Sequence, residues 1–526
     1  MKKNKLTAMV VFCLLMALVL LQLPNTVNAG VFDAGNLKYD NSEYATLIIS
    51  GNGPMDDYSV NGAGLCNQPW RYERFETEEV IIKSGVTSIG DCAFVGFHEL
   101  ESVVIPSSVT SIGKSAFAGT NLKSVTIYNT VTTIEEYAFS GCDALTSVKL
   151  SGRLEVIEDG LFSSCSSLKS VTIPSSVKTI GAAAFEGCEK LSAVTIPNSV
   201  TTIGDYAFAE CTSLKTVSIG SGVTTMGTDA FGGCTALTKF TVNSKNSTFS
   251  SDSSGGLYNK DKTVLLNVPY RMSGKYSPDA AVTTIAPGAF SCCDALTQVH
   301  LGKNVTEIGE MAFFDCPAIT AYSVDPENPV CFADERGVLF CDGVLVVAPK
   351  NLSGEYRIPK GVSAIGKYAF YECKELVSVI FGKDVTYVDE CCFEHCTALT
   401  TMSIPRNISF NYNNFKFGLR SLQDVYYRGT KAEWDAINPY NSATMELARY
   451  LRFMDAPPAG DMDDDWMLST DDAVYLLLNV MFGETDYPMP TGVNPDLNSD
   501  GKADTNDAVY LLLNVMFGPE DYPLPI

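Results

Sequence analysis

The sequence predicts a β-solenoid, a stack of coils made from short strands and turns, followed by a small all-α unit. Two observations predict it. A repeat of about 23 residues fills the middle of the chain. Near the end, two copies of DAVYLLLNVMFG, at 472–483 and 507–518, stand 35 positions apart.

The N terminus reads as a secretory signal over residues 1–29. Lys2, Lys3 and Lys5 precede an apolar run from 9 to 23, and Val27, Asn28 and Ala29 suit cleavage before Gly30. Cys13 follows Val11 and Phe12, a poor match to a lipoprotein signal. No other stretch is long and apolar enough to span a membrane, so the protein is expected to be exported and extracellular. Residues 30–79, with a strand-like stretch at 45–49, an Asn52, Gly53 turn and Trp70, read as an N-terminal cap.

Residues 80–404 carry the repeat. A clear copy is LKSVTIPSSVKTIGAAAFEGC at 168–188. Its phenylalanine recurs at 94, 117, 139, 162, 185, 208 and 231, then at 290 and 313, then at 370 and 393. One 23-residue unit cannot bury apolar residues spaced L-x-x-V-x-I, whereas stacked units make a continuous core. The Val-x-Ile alternation fits a strand with one face inward, ended by Pro174 or Pro197. Val-x-x-Ile-Gly supplies a second short side, and Ala-Phe closes the turn.

This pattern resembles the leucine-rich repeats of the BspA type, which implies a leucine-rich-repeat solenoid and a role in adhesion at bacterial surfaces. Insertions near 240–280 and 322–358 each replace a coil with hairpin-like sequence; such projections often carry binding in solenoids. Residues 405–455 read as a C-terminal cap, in which Thr430 and Glu433 form a capping box before a helix with Trp434. A short, proline-rich linker covers 456–460.

Nine cysteines share one repeat position, three after the phenylalanine: 142, 165, 188, 211, 234, 293, 316, 373 and 396. Export favours disulfides, yet a column of equivalent neighbours offers no unique pairing. The expectation is free thiols acting as small apolar residues. Cys331 and Cys341, bracketing a turn, are the better disulfide pair.

The duplicated segments each follow an acidic loop. Calcium takes six to eight oxygen ligands, and a twelve-residue loop offers them from positions 1, 3, 5, 7, 9 and 12. The first loop offers Asp461, Asp463, Asp465, the Met467 carbonyl, Ser469 and Asp472; the second offers Asp496, Asn498, Asp500, the Lys502 carbonyl, Asp504 and Asp507. Gly501 meets the sharp turn of the second loop, where the first has Trp466. A left-handed residue other than glycine costs roughly 1–2 kcal/mol, so the first site is expected to be the weaker of two Ca2+ sites. Residues 460–526 carry 14 acids and one lysine out of a chain charge of −24, so folding there should be coupled to the ion.

Pro457, Pro458 and Gly460 before the first loop, and Pro490, Gly492 and Pro495 before the second, exclude an incoming helix. Each unit is a loop with an exiting helix only, which resembles a type I dockerin over residues 461–526. The resemblance implies a cohesin partner on a scaffold protein, as in cellulosome-like complexes that degrade polysaccharide. It also implies contacts through Thr470, Asp471, Leu477 and Leu478 and through Thr505, Asn506, Leu512 and Leu513. Independently, both helices are apolar almost all round, more than a domain of that size can bury.

No enzyme is expected. Once signal, repeats and paired loops are set aside, about 50 residues remain at each end, well short of a catalytic domain. His98, His300 and His395 occupy unrelated repeat positions. The acidic balance argues against nucleic acid as a partner. The outward strand residues Val104, Thr126, Lys149, Thr172, Thr195, Ser218 and Thr241 form a hydroxyl strip without an aromatic. The sequence thus points to a non-catalytic adhesion or interaction protein, whose repeats take an extracellular protein or a polysaccharide. A structural spacer, or a substrate-targeting subunit of a polysaccharide-degrading complex, is the alternative.

Overall fold

A computed structural model describes residues 30–60, 66–406, 408–411, 421–437, 447–454, 461, 470–483, 489, 494–499, 502–517 and 523–524. The signal segment, the linker and most of the first acidic loop lie outside the described residues. Those described form two compact units. One runs to Asp261 and includes Pro269–Arg271; the other holds Lys262–Val268 and the chain from Met272.

In the first unit each repeat makes one coil. Ser124–Thr126, Ser147–Lys149 and Ser170–Val171 pair in parallel, with Val125, Val148 and Val171 in register. Ala193–Ile196, Thr216–Ile219 and Lys239–Val242 continue the pattern. The alternation Ser-Val-Thr-Ile turns Val and Ile inward and the hydroxyl side chains outward. Pro174 and Pro197 stop the strand, and their carbonyls accept from Val177 and Val200 N–H to close a tight turn. The second side of the coil is shorter: Val156–Ile157, Thr179–Ile180 and Thr202–Ile203 pair in parallel.

The phenylalanines form the spine. Rings of Phe94, Phe117, Phe139, Phe162, Phe185, Phe208 and Phe231 stack one on the next with centroids 5.1 to 5.7 Å apart. Such pairs add about 0.5–1.5 kcal/mol beyond the area they bury. Trp70 extends the column by one ring: it stacks on Phe94 at 5.7 Å, and its indole N–H donates to the Ala93 carbonyl at 2.8 Å. The chain turns around each phenylalanine through two left-handed residues, such as Ala183 (φ 51°) and Gly187 (φ 69°) about Phe185. The second of these explains the recurrent Gly-Cys, since glycine adopts that conformation without strain. Ahead of the repeats, Val31–Ala34 and Leu37–Asp40 form a hairpin, and Thr46–Gly51 joins it to Glu79–Ile82.

The second unit repeats the design. Ser353–Arg357, Glu375–Ile380, Thr401–Ile404, Asp424–Tyr427 and Leu451–Phe453 form a parallel sheet. Phe290 stacks on Phe313, and Phe370 on Phe393. The expected capping box is present at Thr430 and Glu433, opening the helix Lys431–Ala436. Its Trp434 packs edge-on against Tyr427.

Each insertion contains a hairpin: Phe249–Ser251 with Leu257–Asn259 in the first unit, and Cys331–Ala333 with Leu339–Cys341 in the second. Cys331 and Cys341 lie directly opposite one another and form a disulfide. One asparagine starts each hairpin. The Asn246 side-chain amide donates to the Gly220 and Val223 carbonyls of the preceding coil, and its oxygen accepts from Thr248 and Phe249 N–H. Asn328 does the same with Gly302, Val305, Val330 and Cys331. Two helices, Thr470–Phe482 and Thr505–Phe517, pack on each other near the end of the chain. No described helix is long and apolar enough to cross a membrane.

Candidate functional site

Two surfaces carry chemistry that packing alone does not use. The first is the strand face of the first unit. On the six strands from Ser124 to Val242, and on the residue just before each, three outward rows give eighteen positions. Five are lysine, twelve serine or threonine and one alanine; all are exposed except the half-buried Ser218. Lys123 is ion-paired with Glu101, whereas Lys149, Lys169, Lys215 and Lys239 have no carboxylate partner among the described residues. Threonines of the outermost row turn back on the backbone, as Thr146 does to Lys123 O at 3.0 Å and Thr238 to Lys215 O at 2.9 Å. Hydroxyls of the two inner rows hydrogen-bond no protein group among the described residues and face solvent. A single strand row shows the hydroxyl strip; four of the five lysines fall on the adjoining rows.

Acids gather elsewhere on the same coils. Burial, then the Asp159, Glu136 and Glu135 carboxylates, hold Glu158 above the usual carboxylate range. Burial, then Asp91, Asp57 and Glu136, do the same to Glu135. Across these six coils the outward strand rows carry ammonium groups and no carboxylate, whereas on the two coils before them the same rows carry Glu79 and Glu101.

In the second unit a groove of about 330 Å³ runs beside the disulfide hairpin between Glu307, Asp342 and Asp389. Lys367 bridges Glu310 at 3.0 Å and Glu390 at 3.3 Å there. The histidines are dispersed. His98 is exposed, His300 shares a hydrogen bond with Ser323, and His395 meets the edge of Tyr371.

The other candidate surface belongs to the helix pair. Ala473, Leu476, Leu497, Ala508 and Leu511 form its core, with Leu477 and Leu512 packed against them. Leu477 and Leu512, expected as partner contacts, are half-buried and touch the edge of this core. Leu478 and Leu513 are half-buried. Thr470 and Asp471 open the first helix, and Thr505 and Asn506 stand exposed at the start of the second. The apolar surface left over lies on another stripe. Val474, Met481 and Phe482 are 52, 61 and 57 % exposed, and Val509, Met516 and Phe517 are 55, 61 and 59 % exposed. With Leu478 and Leu513 these follow i, i+4, i+7, i+8 spacing, one side of each helix.

The loops before these helices hold buried carboxylates. Asp461, Asp472 and Asp507 are fully buried. Asp507 closes the second loop: one oxygen accepts from Leu497 N–H (2.8 Å) and Asn498 N–H (3.1 Å), the other from Asp504 N–H (2.7 Å). Asp496, Asn498, Lys502 and Asp504 belong to the loop that it closes. Asp463, Asp465, Met467, Ser469 and Asp500 lie outside the described residues. Among the described residues no group of three or more Asp, Glu, His or Cys side chains converges as a metal site would require.

Residues 71–192, 145–255, 275–329 and 351–435 match the family described as BspA type leucine rich repeat region, in six copies. The chain belongs to this family. Solved structures similar to it include a leucine rich cell surface protein of Faecalibacterium prausnitzii, 22 % identical over 78 % of this chain and 98 % of that one, TM-score 0.47. A leucine-rich repeat protein of Eubacterium ventriosum is 23 % identical over 73 % and 92 %, TM-score 0.41. The pneumococcal vaccine antigen PcpA is 16 % identical over 82 % and 99 %, TM-score 0.39. Comparison with curated proteins gives no match. The BspA-type match covers both groups of coils and ends before the paired helices.

Proposed function

We propose that this chain is a secreted, non-catalytic binding protein whose repeats present a recognition surface and whose last 66 residues are a dockerin. In this reading the helix pair, folded around two Ca2+ ions, docks on a cohesin module of a scaffold. The observation that carries it is the apolar stripe left exposed twice, at nearly equal exposure, on helices 35 residues apart. A monomeric helix pair gains nothing from leaving Val474, Met481 and Phe482 in water; a partner that covers them does. Calcium would be held by Asp461, Asp472, Asp496, Asn498, Asp504 and Asp507 with the Lys502 carbonyl, together with Asp463, Asp465, Met467, Ser469 and Asp500. It would supply the positive charge that clustered carboxylates need in order to fold.

The test is retention of the full chain on a panel of immobilised cohesins, with calcium and with chelator. We expect retention in calcium, loss in chelator, and loss in Met481→Asp/Met516→Asp at unchanged helix content. Retention that survives chelation, or no cohesin retained at all, rejects the dockerin assignment. Within this reading the substrate-targeting role is favoured over a spacer by one observation, the unpartnered lysines on the strand face.

A further inference from the structure

We propose that the strand face of the first unit binds a linear acidic polysaccharide. The inference rests on reading the repeats as a recognition surface, and it names the ligand class of that surface.

The argument begins with charge. The chain carries −24 overall, yet the eighteen outward positions of this face hold five lysines and no acid. In the same rows the acids Glu79 and Glu101 stand on the coils before Ser124, so the cationic stretch begins at Lys123 and runs without a carboxylate to Lys239. Lys169 and Lys215 stand two coils apart in the same row, and Lys123 two coils before them. With strands about 4.8 Å apart, that places an ammonium every ~10 Å along the stack. Lys239 stands in the adjoining row one coil beyond Lys215, and Lys149 in the third row on the coil between Lys123 and Lys169. Such a line matches a polymer with regularly spaced anions better than a compact anion, which needs its charges converging on one point.

The remaining side chains select among polymers. Twelve hydroxyls surround the lysines, and those of the inner rows lack a protein partner among the described residues. They are free to exchange hydrogen bonds with sugar hydroxyls and carboxylates. A protein partner would want aromatic or large aliphatic anchors at the centre of the contact; the only apolar residue here is Ala193. Single-stranded nucleic acid would want aromatic platforms for its bases, and none of the eighteen positions is aromatic. Neutral glycans lose the same stacking contribution and gain nothing from the ammonium line. A flat, hydrophilic, cationic face fits a hydrated polyanion.

The experiment uses the full chain in chelator, so that neither calcium-gelled polymer nor a calcium bridge from the polymer to the acidic C-terminal region contributes. Binding is measured by affinity electrophoresis and calorimetry against polygalacturonate, chondroitin sulfate, neutral amylose and single-stranded DNA. We expect binding to one or both acidic glycans and none to amylose; the two glycans separate carboxylate from sulfate recognition. Affinity should fall steeply as salt is raised from about 50 to about 200 mM. Charge reversal at Lys149, Lys169 and Lys215 to Glu should weaken binding by about tenfold or more, while Lys→Gln at the same positions gives a smaller loss. Unchanged circular dichroism shows that the variants fold. No binding to either acidic glycan, equal binding by the reversed variant, or tighter binding to DNA overturns the proposal. Because chelator is present throughout, these outcomes are independent of whether the C-terminal helices bind cohesin.

Discussion

Each cysteine of the repeat column donates its thiol to a main-chain carbonyl of the coil before it. Cys165 reaches Phe139 O at 3.1 Å, Cys188 Phe162 O at 3.3 Å, Cys316 Phe290 O at 3.0 Å and Cys396 Phe370 O at 3.0 Å. The repeat position selects a small side chain with a weak donor, which cysteine supplies and alanine does not. Burial pushes the thiols of Cys188, Cys234, Cys316 and Cys373 up to about 12. A thiol in the unfolded chain ionises near pH 9, whereas the folded one keeps its proton. Above pH 9 the unfolded state therefore binds fewer protons, and stability falls with rising pH. We expect stability indifferent to these thiols below about pH 9 and a progressive loss between about 9 and 12. Iodoacetamide at pH 8 should spare the column in the folded protein and modify it fully in denaturant; mass spectrometry of the alkylated peptides reads the difference. Rapid labelling of the native column would show that the thiols are not held as the structure has them.

At the scale of the element, the insertions are bracketed by a side chain that periodicity does not reveal. Asn246 is fully buried and spends its whole amide on four main-chain groups, fastening the hairpin to the coil before it. Asn246→Ala would leave the Gly220 and Val223 carbonyls and two N–H groups unpaired in the interior. At about 1–3 kcal/mol for each buried polar group left unsatisfied, partly relieved by water, a loss of about 3 kcal/mol is expected in urea denaturation. A loss of a few tenths would mean that the bracket is dispensable. The hairpins themselves were readable, because turn residues separate two short apolar runs, as at 337–347. Asn246 and Asn328 were not, since a polar residue in an insertion looks like any loop residue until the carbonyls it serves come within reach. The paired helices show the converse. Their apolar content is obvious in sequence, but the period that sorts core from surface is blurred when nearly every position is apolar. The structure buries Ala473 and Leu476, half-buries Leu477 and Leu478, and leaves Val474, Met481 and Phe482 exposed.

Across the whole molecule the useful quantity is how charge is distributed along the chain. The coil repeat and its phenylalanine spine follow from the 23-residue period. The lysines of the strand face, set in different rows of different coils, become neighbours only once the coils are stacked in register. The same bookkeeping puts 14 acids and one lysine in residues 460–526. Asp461, Asp472 and Asp507 are buried there, and on the dockerin reading a cation held among these loops would favour the folded pair. Calcium that binds only the folded helix pair stabilises it by about 2.7 kcal/mol at a concentration about 100 times Kd. Trp466 offers a local probe, because the only other tryptophans, Trp70 and Trp434, are buried in the repeat-bearing parts of the chain. Titrating calcium into chelated protein should raise the helical signal in the far ultraviolet and shift tryptophan emission. Trp466→Phe should abolish the emission change and leave the helical change intact. The sheet signal should stay constant throughout, because the coils are held by their own apolar core and ring stack. An emission change that survives in Trp466→Phe would place the calcium response outside the first loop, and no change in either signal would remove the metal from the folding of this segment.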